Sequence, residues 1–192
     1  MPACPPWVPG KPRPRDVDLL YMVRIPSCAV LRFLASKGRD ENQKGDTVPT
    51  VQEVSQKVQR ILAESFSTNL LPDGGFRVEA GSTAVFVSCE TWGAAEESVL
   101  VRLRAPVLFE VPVTDELCRW IAVEGNLRHF GTLMLMVEEG EKSGTLGMDH
   151  TLLGDFLDKD ELGYAVAHMG GSADFLDDDL QKRFGGKRFE DT

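Results

Sequence analysis

The chain has 192 residues, of which 42% are hydrophobic and 27% charged, and its formal net charge is -9. That is enough apolar material for one folded core, and the composition is that of an ordinary globular domain. The negative field repels phosphate backbones and anionic lipid, which argues against nucleic acid or a membrane surface as partner, and no apolar run reaches the roughly 18 residues a spanning helix needs.

Charge divides the chain near residue 46. Residues 1–46 hold eight Lys/Arg and five Asp/Glu, a net of +3, against -12 for the rest. The opening "MPACPPWVPGKPRPR" carries six of the eleven prolines, which disfavour a helix and favour extended, solvated backbone. We expect 1–46 to be a flexible extension, with some local structure over 16–36, and 47–192 to be the folded domain. No signal-peptide pattern with a small-residue cleavage site is present, so the cytoplasm is expected. Cys4, Cys28, Cys89 and Cys118 form no CxxC pair and read as reduced thiols.

"TVQEVSQKVQRILAESF" opens with a capping box, Thr50 with Glu53. Val51, Val54, Val58, Ile61 and Leu62 follow at helical spacing. "LPDGG" is a turn. Three strand-like runs come next: "FRVEA", "TAVFVSCETW" and "SVLVRLRAPVLFEV". In the last, Val99, Val101 and Leu103 alternate with Arg102 and Arg104, the pattern of a half-solvated antiparallel strand. Pro106 inside it implies a bulge or an edge position.

"TDELCRWIAVEGN" predicts a second helix, capped by Thr114 and closed at Gly125. "HFGTLMLMVEE" and "SGTLGMDHTLL" flank "GEK" as a hairpin. Asp158 then caps a third helix in which Leu162, Ala165, Val166 and Met169 form a stripe. Gly170 and Gly171 each weaken that helix by about 1 kcal/mol relative to Ala. "ADFLDDDLQKRF" resumes it, with Asp177, Asp178 and Asp179 as a solvated face, and "GG" stops it. The predicted order is αβββαββα: an α+β fold in which helices pack on one face of an antiparallel sheet.

"HTLLGDFLDKDELGYAVAHM" followed by "ADFLDDDLQKRFGG" resembles the C-terminal half of the YbjN family. Its relatives are described as similar to type III secretion chaperones of the CesT and YopN-chaperone group, and as peptide-binding chaperones. The resemblance spans about residues 50–186 and is most specific over 150–186. It implies a chaperone-like binding protein that is not an enzyme, often a homodimer, with that group's αβββαββα fold.

The residues themselves supply no catalytic set. The acids around 158 miss the EF-hand positions, because Leu162 stands where an oxygen ligand is needed. No G-x-S-x-G or phosphate loop occurs. No metal or other cofactor is expected. The alternative reading is a metal-dependent enzyme or sensor using His129, His150 and Asp155, if the last two strands bring the histidines face to face. Binding is the principal reading. Met134 and Met136 share one face of "TLMLMV", Met148 lies on the next strand, and flexible, polarizable methionine suits varied apolar partners. With Trp120 they are the candidate peptide-binding residues. The overall acidity favours basic or amphipathic protein or peptide clients.

Overall fold

The computed structural model describes residues 49–93 and 98–192. The Pro-rich opening, the 16–36 segment, the 46/47 boundary, Cys4 and Cys28 all lie outside the described residues.

Helix α1 spans Val51–Ser65. Its capping box forms as the sequence requires: Glu53 N–H donates to Thr50 Oγ1, and Thr50 N–H donates to Glu53 Oε2. Four strands follow: β1 (Thr68–Leu70), β2 (Phe76–Ala80), β3 (Thr83–Trp92) and β4 (Ser98–Pro112). The chain then forms α2 (Asp115–Trp120), prolonged by a π-helical turn at Ile121–Gly125, and the hairpin of β5 (Thr132–Met136) and β6 (Ser143–Leu153). Helix α3 (Lys159–Phe184) and a 3-10 turn at Phe189–Asp191 complete it. The α+β class is as predicted, with one strand more before α2. Three-residue β1 shows no periodicity of its own and forms because "LPDGG" turns it back onto β2, with Gly74 N–H donating to Leu71 O and Gly74 left-handed at φ 86°.

The six strands of the described residues pair antiparallel in the order β1-β2-β3-β4-β6-β5. One face is apolar: Phe76, Val78, Val85, Val87, Val99, Val101, Leu103, Leu146, Met148 and Leu133 are buried there with α1 and α3. Arg102 and Arg104 take the opposite face. The alternation read in β4 is therefore that of a half-solvated central strand. Because β4 is central, Pro106 does not mark an edge. The register of β4 against β6 shifts between Pro106 and Leu108 and again before Val111, so the proline sits at a bulge.

Helix α3 runs unbroken through Gly170 and Gly171. A Cβ on Gly170 would stand 2.5 Å from Ala80 Cβ. The missing side chain lets the helix lie close on the sheet, which offsets the helix propensity lost. Asp177 departs from the sequence reading. Of the three consecutive aspartates only Asp178 and Asp179 are exposed; Asp177 is 2% exposed. Its Oδ2 lies 2.6 Å from the hydroxyl of Ser82 in the β2–β3 turn, and Asp174 Oδ1 accepts from the Ser82 N–H at 2.6 Å. A buried carboxylate needs partners; this one has the Ser82 hydroxyl, from a turn 95 residues away in sequence, on Oδ2 and the Asp178 N–H on Oδ1.

Candidate functional site

The face of the sheet away from the helices is not flat. Between β3 and β5 it sinks into a trough of about 530 Å³. Its floor is narrow because Pro106 of β4 is paired with Gly147 of β6, so little side chain stands there. A Cβ on Gly147 would meet Ala105 O at 3.3 Å and Met136 Cε at 3.7 Å. Met134 and Met136 form one wall, outward from edge strand β5 by the alternation of "TLMLM", and remain 43% and 49% exposed. Phe86 of β3, Phe109 at the bulge and Phe189 of the C-terminal turn close the other end.

The polar part of the trough is an ion-pair cluster. Asp149 Oδ1 accepts from Arg102 Nε at 3.1 Å and Arg104 Nε at 3.3 Å, and Glu90 takes a second Arg102 nitrogen at 3.3 Å. Pairs this exposed contribute about 1 kcal/mol or less to stability. Their effect is local charge balance: within a chain of net charge -9, this face is not acidic. Arg104, whose side chain is more than half exposed, uses only Nε in these bonds and leaves its planar fork to solvent.

The exposed edge next to the methionines is partly closed. Leu133 N–H points away from β6 and donates to Asn126 Oδ1 at 2.6 Å, a side-chain plug on an edge that would otherwise pair freely.

The four candidate binding residues do not form one surface. Met134 and Met136 are together in the trough. Met148 also borders the trough, but it is 2% exposed and its side chain packs in the core on the helical side, close to where a Cβ on Gly131 would stand. Trp120 is half-buried against Phe184, with ring centroids 5.8 Å apart, at the C-terminal end of α3. Sequence reasoning missed Phe86, Phe109, Phe189, Arg102 and Arg104. Strand alternation places both arginines outward with Phe86, but nothing local says that Phe189 joins them.

The metal alternative finds no geometry. β5 and β6 pair, yet His150 meets Phe130, at 5.8 Å between rings, and not His129, which is exposed. Asp155 instead accepts from Val99 N–H and closes the end of β4 onto β6. Among the described residues no three His, Cys, Asp or Glu side chains are placed to hold a metal ion. Burial pushes the half-buried Cys89 thiol up to about 11, so it is not a thiolate at neutral pH. A second cleft of about 560 Å³, beside α1, is lined by Gln52, Gln56 and Gln59 and holds neither a charged cluster nor a methionine wall.

Residues 52–192 match the family described as "T3SS (YopN, CesT) and YbjN peptide-binding chaperone 1", or TY-Chap1. The chain belongs to this family. TY-Chap1 is a peptide-binding chaperone type. No curated protein matches the chain. A crystal structure of YbjN from E. coli aligns at 9% identity with a TM-score of 0.49, covering 67% of this chain and 92% of that one. Among the described residues no helix is long and apolar enough to cross a membrane.

Proposed function

We propose that this TY-Chap1 chain is a cytoplasmic, non-enzymatic module that binds apolar or amphipathic segments of client proteins in the trough on the open sheet face. The observation that carries this is the pairing of exposed Met134 and Met136 with the bare Pro106–Gly147 floor. An exposed apolar patch rimmed by polar groups is what a recognition surface offers, and methionine walls adapt to different side chains. The floor accepts a side chain or an extended backbone, and the Arg102–Asp149–Arg104 cluster supplies orienting polar contacts at one end. Local charge balance removes the penalty that the overall acidity would place on acidic segments, so clients need not be basic.

A homodimer belongs to the same proposal. The outer stripe of α3, where Tyr164 and Phe175 are exposed, supports it. The test of the binding face is selection of peptides from a random library on the full chain, followed by titration of the selected peptides against Gly147→Val. Binding that is lost in the variant supports the trough. Selected peptides that bind Gly147→Val as well as wild type place the site elsewhere.

A further inference from the structure

Residues 185–192 leave the helical side of the sheet and reach its open face. Gly185 and Gly186 have φ of 77° and 92°, left-handed values that suit glycine. A Cβ on Gly186 would stand 2.8 Å from Phe109 O, so the turn also needs the absence of a side chain. The reversal sets Lys187 beside the β4 bulge. There Phe109 N–H donates to Lys187 O at 2.7 Å, and Lys187 N–H donates to Phe109 O at 2.8 Å.

Two residues on, the Phe189 ring enters the trough. It lies 6.1 Å from the Phe86 ring and 6.3 Å from the Phe109 ring, with the Arg77 guanidinium 5.2 Å over it. Arg188 latches the segment to Asp178 of α3 and pairs with Glu190 and Asp191 inside it, all of them exposed at the surface or nearly so. The segment is thus seated by a single bridge at Lys187, followed by a 3-10 turn over Phe189–Asp191. One residue is paired through its backbone, an aromatic side chain two positions later sits in an apolar socket, and carboxylates follow.

The seat is incompletely satisfied. Arg77 Nε, in the guanidinium that covers Phe189, is buried and has no hydrogen-bond partner among the described residues. A buried N–H donor without an acceptor is a cost that a better-fitting occupant removes. Glu79 takes Nη2 of the same guanidinium at 3.2 Å, and residues 186–192 bring a ring to it but no oxygen to Nε.

We propose that residues 186–192 are a tethered self-ligand of the open face. The client that displaces them is a segment that bridges the β4 bulge through one residue and carries an aromatic side chain followed by carboxylates, one of whose oxygens reaches Arg77. This rests on the reading that clients bind in the trough. A tethered ligand competes at high effective concentration, so a free segment of the same chemistry binds weakly until the tail lets go.

The test uses a fluorescein-labelled peptide of residues 186–192, GKRFEDT, titrated by fluorescence polarisation against the full chain. The full-chain variant Phe189→Ala, whose own ring no longer fills the socket, binds this peptide at least about tenfold more tightly than wild type. The same peptide carrying Phe189→Ala binds neither protein. Arg188→Ala loosens the latch without altering the socket, moves affinity in the same direction, and guards against a folding defect in the first variant. Equal affinity of wild type and both variants overturns the proposal, as does equal binding of the two peptides. If that happens while library-selected peptides still lose binding in Gly147→Val, the self-ligand alone is wrong and the binding face stands.

Discussion

Met136 Cε lies 3.7 Å from the point where a Cβ would stand on Gly147. An edge-strand side chain thus overlies bare backbone on its neighbour, and the space beside it is the floor of the trough. Gly147→Val fills that floor. Glycine is a poor strand residue and valine a good one, so the sheet itself gains. Ala105 O, at 3.3 Å from the new Cβ, must yield by a few tenths of an ångström. We expect a melting temperature within a few degrees of wild type and at least a tenfold loss of peptide affinity, read by calorimetry and polarisation on the same preparation.

The three strand methionines should separate into two classes. Met134→Ser and Met136→Ser change half-exposed side chains, so they should leave chemical denaturation nearly unmoved while weakening peptide binding. Met148→Ala empties a core position that is 2% exposed and should cost about 2–5 kcal/mol in urea unfolding.

Two adjacent glycines of α3 should respond with opposite signs. Gly171→Ala meets open space and gains helix propensity, so we expect it to stabilise by about 0.5–1 kcal/mol. Gly170→Ala sets its Cβ 2.5 Å from Ala80 Cβ and should destabilise by about 1–3 kcal/mol despite the same propensity gain. Thermal unfolding of the pair decides it.

Ser82→Ala removes the hydroxyl that faces both Asp174 and buried Asp177. Leaving the Asp177 oxygen without this partner should cost about 1–3 kcal/mol near neutral pH. The backbone N–H and hydroxyl of Ser82 hold the Asp174 carboxyl below its ordinary value. A carboxyl depressed in the folded state contributes stability that is present above the ordinary aspartate value of about 3.9 and lost as pH falls through the lower folded value. The gap between wild type and Ser82→Ala should therefore narrow below about pH 4 in acid-unfolding curves.

How much of this was legible from residues alone varied with the range of the interaction. The helix caps and the β4 alternation were readable because Thr50 with Glu53, or Val101 beside Arg102, carry their meaning within a few positions. Met134 and Met136 were readable as a shared face for the same reason. Asp177 was not, since one aspartate in a run of three gives no sign that Ser82 waits beneath it. Met148 and Met134 look alike in sequence, and only the pairing of β5 with β6 sends one to the core and the other to the open face. The aromatic end of the trough was hidden most deeply. It needs a bulge after Pro106, a reversal at Gly185–Gly186 and a ring arriving from the far side of the sheet.

The most direct test of the account is a methionine-methyl NMR titration of the full chain with a library-selected peptide. The account requires the Met134 and Met136 signals to shift or broaden to saturation while Met148 and Met169, both buried against α3 or within it, stay in place. Peptide binding that leaves Met134 and Met136 unmoved would contradict it.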